Sequence, residues 1–182
     1  MPNKTKAIIS ISILMLVLAL GLILRIYHLS DNPAGFFCDE ASIGYNAYSI
    51  LTTGKDEHGI PFPISFNSFG EYKSPIEIYS TIPLVGILGL NELSTRLPSA
   101  LYGFITIIIM YFLGKKINPT KTKSFGLLVA FITATMPWLI HYNRIAFELS
   151  PYVLLFTSTV YLLIKSTNHK KYIIPAFILA AL

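Results

Sequence analysis

Five of the chain's nine carboxylates and two of its lysines, Lys55 and Lys73, fall between Phe36 and Pro75. The segment carries the neighbours Asp39 and Glu40, the cluster Asp56-Glu57-His58, and the run Glu71-Tyr72-Lys73. A carboxylate can take the proton of an attacking hydroxyl or amine if it is positioned and partly desolvated. Asp39 is the first choice for such a base. Its plain alternative is a helix N-cap, where Asp is favoured. Neighbours on a helix point about 100° apart, so Asp39 and Glu40 do not both face one pocket. Lys73 precedes Ser74-Pro75 at an expected helix start. A cation there opposes the helix dipole, so helix stability does not explain it. A phosphate at that point would gain from Lys73 and from free backbone N–H groups. The plain alternative is a lysine that meets lipid headgroups.

Further along, His141, Arg144 and Glu148 stand in H-Y-N-R-I-A-F-E. If that loop is helical, Arg144 and Glu148 form an i,i+4 pair. The functional reading gives Arg144 to a phosphate or sugar and lets Glu148 orient it or touch substrate. Arg96, in S-T-R-L-P-S-A, and Arg25, at the far end of the first apolar run, read as anchors that snorkel to the interface. Asp56, Glu57 and His58 offer ligands to a divalent cation, but consecutive loop residues rarely converge, so the reading requires no metal. The tyrosines Tyr45, Tyr48, Tyr72 and Tyr79 and Trp138 suit an aromatic belt, with sugar stacking open to one or two of them. The single cysteine, Cys38, excludes an intramolecular disulfide and has no zinc-site spacing.

These residues are carried by a chain that cannot cover itself with polar surface. Charged residues are 13% of it and hydrophobic ones 53%, against roughly 25% charged in soluble domains. The class is an integral membrane protein, all-α. The net charge of +5 does not point to nucleic acid, because most cations cluster at the ends of apolar runs. Spans are expected near 7–29, 97–113, 124–140 and 151–164, with a further one opening at 172–182. The first run is too long for a signal-peptide core and no A-x-A-like site follows, so it reads as a retained anchor. The last has eleven residues where about 20 are needed, so we expect the N-terminal part of a longer protein.

Residues 30–96 form the large outer loop. Within it an amphipathic helix is expected from Asp39 to Gly54, with Asp39, Ser42, Asn46, Ser49 and Thr53 on one face and Ile43, Ala47, Ile50 and Leu51 on another. It suits the interface plane. Residues 55–70 read as an irregular or hairpin connection. Pro75–Leu90 is apolar but only about 16 residues long, short for a span, and carries Glu77. Kept at the outer surface as a juxtamembrane helix, it puts Lys115, Lys116, Lys121, Lys123, Lys165, Lys170 and Lys171 on the cytoplasmic side, together with the basic leader 1–6. The carboxylates and arginines gather on the other side.

The strings G-F-F-C-D-E-A-S-I-G-Y-N-A-Y-S-I-L-T-T-G-K-D-E-H-G, F-G-E-Y-K-S-P and L-S-T-R-L-P-S-A-L-Y-G, in that order, resemble polytopic GT-C class glycosyltransferases. The likeness is to the family 39-like branch of protein mannosyltransferases and aminoarabinose transferases. It covers Gly35 to Gly103, and the loop with Arg144 and Glu148 extends it. The resemblance implies a bundle of many transmembrane helices with juxtamembrane helices in the first outer loop. It also implies a polyprenyl-phosphate-linked sugar as donor and a glycan, lipid or protein as acceptor. It matches Asp39, with Glu40 beside it, to the acidic residue that serves the acceptor. Lys73 matches a position that meets the lipid phosphate, and Glu148 a second-loop carboxylate. Related enzymes often have K-P-P where this chain has Lys73-Ser74-Pro75. The site expected is Asp39 and Glu40 as catalytic groups, Lys73 and Arg144 at the donor phosphate, and Tyr72, His141 and Glu148 at substrate. The reaction expected is inverting glycosyl transfer on the extracytoplasmic face of the cell membrane. The other class is a non-catalytic polytopic protein, a transporter or lipid-binding subunit. A transporter would place ionisable residues at mid-membrane on broken helices, and the expected spans lack them.

Overall fold

The structure, a computed structural model, describes residues 3–118 and 122–182. Lys121 of the expected 114–123 loop and the first two residues of the basic leader lie outside the described residues. Eight α-helices and one hairpin follow in order: α1 (Asn3–Ile26), α2 (Cys38–Thr53), β1 (Phe66–Ser68), β2 (Glu71–Lys73), α3 (Pro75–Leu88), α4 (Glu92–Ile117), α5 (Thr122–Thr135), α6 (Pro137–Asn143), α7 (Leu149–Ser166) and α8 (Ile173–Ala181). Three of the described helices, α1, α4 and α7, are long and apolar enough to cross a membrane. The chain is an all-α membrane protein with one short hairpin.

Two compact units divide it. The first comprises residues 1–24, 103–140 and 152–182. Its core joins Val17 of α1, Ile107 and Tyr111 of α4, and Ala130 and Ala134 of α5. Here α4 and α5 touch backbone to backbone. A Cβ on Gly126 would stand 2.8 Å from the carbonyl oxygen of Tyr111, so only glycine permits this approach. The apolar run expected as one span over 124–140 is broken. Pro137 opens α6, and α5 and α6 meet at 57° around Met136. Proline supplies no N–H and disfavours α geometry in the residue before it, which ends α5 one turn early.

The second unit comprises residues 25–102 and 141–151. Its core is Ile43, Ala47 and Ile50 of α2, Ile78 and Val85 of α3, Phe66 of β1 and Ala146. The face of α2 expected to lie against lipid is therefore packed on protein, except Leu51, which is exposed. The opposite face is not all solvated either. Ser42 and Asn46 are buried: Ser42 Oγ and Ser68 Oγ lie 2.7 Å apart, and Asn46 donates to Glu57 Oε1 at 2.9 Å while accepting from the Glu57 N–H. Gly44 lets α2 approach α4, since a Cβ there would sit 2.8 Å from Thr95 Oγ1. In the 55–70 connection, Lys55 bridges Pro61 and β1 pairs antiparallel with β2, Phe66 opposite Lys73. α3 has 14 residues, a rise of about 21 Å, less than the hydrocarbon thickness of about 30 Å.

Candidate active site

Two ion pairs from the same turn of α2 organise this unit, one facing outward and one inward. Asp39 takes the Lys73 ammonium, with the side chains 21% and 10% exposed. The hairpin delivers Lys73: its tight return at Phe69-Gly70, both at positive φ, sends β2 back so that Lys73 ends it immediately before α3. Ser74 caps α3, accepting from the Ile76 N–H, and Pro75 takes the first helical position, where its missing N–H costs nothing. Glu148 accepts from the Ser74 N–H. Burial pushes the Glu148 carboxyl up; the Ser74 N–H and Lys73 oppose that, and Asp39 and Glu71 add to it. Asp39, Lys73 and Glu148, drawn from three separate segments, share one charge environment.

Glu40 turns the other way. Its carboxylate accepts from Arg96 Nε at 2.8 Å and Nη2 at 3.1 Å, from the Phe37 N–H at 3.0 Å and from the Ala146 N–H at 3.1 Å. The Phe37 bond makes Glu40, not Asp39, the residue that closes the N-terminus of α2, so the N-cap reading of Asp39 is wrong; the helix begins at Cys38. Arg96 is fully buried and also donates to the carbonyls of Leu29, Pro33 and Gly35. It is no snorkelling anchor. Arg25, also expected at the interface, is buried and donates to Asn143 Oδ1 at 3.0 Å.

Asp39 and Glu40 border a cavity of about 570 Å³. Phe36, Phe37, Tyr142 and Phe147 give it aromatic walls, and His141 adds a ring nitrogen. Tyr142 and Phe147 stack at 5.7 Å. A cavity of this kind, mostly apolar with a few converging polar groups, is the usual form of a small-molecule site. The aromatic walls were not read from the sequence, where Phe36 and Phe37 carried only the resemblance.

The structure does not bring every expected residue here. Tyr72 is 76% exposed on β2 and does not line the cavity. Arg144 and Glu148 do not pair as i,i+4 neighbours, because 144–148 is not helical. Arg144 instead donates to the carbonyls of Tyr27 and Asn32 at 2.8 and 2.7 Å, and burial holds its pKa below the usual value, with Arg96 adding to that. The Asp56-Glu57-His58 cluster diverges: Asp56 caps the N–H groups of His58 and Ile60, Glu57 serves Asn46, and His58 faces the Asn67 carbonyl. No group of metal-ligating side chains occurs among the described residues.

Sequence reading gave Glu77 no role beyond marking α3 as a poor span. It is fully buried. Oε1 accepts from Ser99 Oγ at 2.7 Å, Ser99 Oγ takes the Phe147 N–H at 3.4 Å, and Oε2 finds no partner among the described residues. Burial pushes its pKa from 4.5 up to about 8, against the Ser99 hydrogen bond and with help from Glu148. At neutral pH Glu77 is a neutral acid.

A polytopic helical membrane protein with a carboxylate-lysine pair beside an aromatic-walled cavity is the class that fold and geometry define. Residues 74–182 match the family described as dolichyl-phosphate-mannose-protein mannosyltransferase. The chain belongs to that family, and so to the membrane glycosyltransferases of mannosyltransferase type. No curated protein and no solved structure matches it.

Two stability measurements check these assignments. Glu40→Gln leaves Arg96 buried without its countercharge and should cost about 3–5 kcal/mol, seen as a large drop in melting temperature in detergent; Asp39→Asn should cost far less. Glu77 has a folded pKa raised above its unfolded value. Its contribution to stability is thus complete below about pH 4.5 and lost as pH rises through about 8. Melting temperature followed across that window should decline less steeply in Glu77→Gln than in the unaltered protein.

Proposed function

We propose that the protein transfers a sugar from a polyprenyl-phosphate donor to an acceptor on the extracytoplasmic face, with inversion at the anomeric carbon, and that Asp39 is the base. The observation that carries this reading is the placement of Asp39 at the wall of the aromatic cavity with Lys73 as its partner. The acceptor hydroxyl or amine attacks the anomeric carbon as the bond to the phosphate oxygen breaks. The electron pair stays on the phosphate, and the acceptor's proton passes to Asp39. Lys73, at the positive end of α3, attracts the phosphate and meets the charge it gains on leaving. We assign Glu40 to positioning, because its oxygens are occupied by Arg96, Phe37 and Ala146. We assign Arg144 to the turn at 27–32, whose carbonyls it holds. His141 and the rings beside it suit the sugar or the acceptor, and Glu148 fixes Ser74 and so Lys73. The reading needs no metal.

Transfer from a polyprenyl-phosphate sugar, measured in membranes carrying the full-length protein, should fall about 100-fold or more in Asp39→Asn, with insertion unchanged. Normal turnover would remove Asp39 from the chemistry. The lysine clusters support this sidedness. With Cys38 replaced by serine, single cysteines at Tyr72 and Lys116 should react with an impermeant maleimide from opposite sides of the membrane. Labelling from one side alone would refute the extracytoplasmic placement.

A further inference from the structure

The acids of this chain are confined to one of its two units. All nine Asp and Glu residues lie in the unit of residues 25–102 and 141–151, beside five cations. The other unit holds the nine remaining cations, every one a lysine, and no acid. Its formal charge is therefore +9, against −4 for the unit of residues 25–102 and 141–151, which together give the net +5.

Lysines at helix C-termini complement the macrodipole, and their side follows the topology rule. Neither fact accounts for how three of them are arranged. Lys115 and Lys116 close α4, and Lys165 lies in the last turn of α7. Between these helix ends is a recess of about 280 Å³ lined by Phe112, Lys115, Lys116 and Tyr161. The rings of Phe112 and Tyr161 stand 6.3 Å apart. The Lys115 ammonium lies 5.7 Å from the Phe112 ring, and the Lys165 ammonium 5.5 Å from the Tyr161 ring. Rings hold the ammonium groups by cation–π attraction but leave their positive charge uncompensated, since the unit contains no carboxylate. Phe112 is 41% exposed, so an apolar surface continues the charged recess along the helix. That combination, cations at the mouth and hydrocarbon below, matches a phospholipid: phosphate above, acyl chain beneath.

We propose that this recess binds the headgroup phosphate of an anionic phospholipid, with an acyl chain along Phe112. Lys115 and Lys116 line the recess and meet the phosphate. Lys165, whose ammonium lies 5.5 Å from the Tyr161 ring and 4.2 Å from the Tyr172 ring, reaches it from beside Tyr161. Gly126, by letting α5 close on α4 beside the Lys115 stem, fixes the first of the three. The site is separate from the proposed chemistry and would stand if that reading failed.

The test is native mass spectrometry of the full chain in mild detergent, titrated with phosphatidylglycerol or phosphatidylcholine. Phosphatidylglycerol should be retained in preference. Its affinity should fall roughly fivefold for each of Lys115→Gln, Lys116→Gln and Lys165→Gln, while Lys4→Gln with Lys6→Gln, at the start of α1, should change it little. Lys116→Gln, at an exposed position, carries the test if either of the other two variants fails to melt cooperatively. Equal retention of the two lipids would overturn the proposal, as would equal losses from the control lysines. Displacement of the lipid by millimolar inorganic phosphate would also overturn it, showing a site for free anions instead.

Discussion

The buried pair of Glu40 and Arg96 is the constraint on which the carboxylate-rich unit depends. A guanidinium taken wholly out of water loses several kcal/mol of hydration, and it is tolerated only where every N–H finds an acceptor. Arg96 finds two carboxylate oxygens and a ring of backbone carbonyls from 29–35. Meeting that need pulls four segments together: α4, which carries Arg96, the irregular turn after α1, the first turn of α2, and the 145–147 strip through the Ala146 N–H. Such a pair adds little net stability relative to apolar packing. What it supplies is a set of bonds that ties these segments to one another, since the donors and acceptors come from different parts of the unit.

Asp39 inherits its direction from that arrangement. With Glu40 fixed inward, the next residue back on the helix must project about 100° away, toward the cavity and Lys73. The adjacency of two acids, ambiguous in the sequence, thus resolves into a division of labour between holding and facing. The same unit tolerates Glu77 because its carboxyl is neutral at pH 7, so Ser99, which takes the Phe147 N–H, can donate to it at no cost in buried charge.

The class of the fold was legible because hydropathy over twenty residues is a strong signal, and it needs no knowledge of contacts. The family was legible from three strings between Gly35 and Gly103. Local pattern failed where partners are distant in the chain. Arg96 meets Glu40 across 56 positions, and nothing near Arg96 distinguishes it from an interfacial anchor. Arg25 and Asn143 are 118 apart, with the same result. The i,i+4 reading of Arg144 and Glu148 assumed a helix that the segment does not form, and Glu148 turned to Ser74, 74 positions away. On α2, the alternation was seen correctly, but Ser42 and Asn46 face Glu57 and Ser68 within the unit, and periodicity cannot tell buried polar partners from water.

The clasp between Asp39 and Lys73 has a kinetic meaning under the proposed chemistry. While the ammonium sits on the carboxylate, Asp39 Oδ1 is occupied by Lys73. An arriving phosphate competes for the ammonium and frees the carboxylate. Under that chemistry the donor would bind before the acceptor is deprotonated.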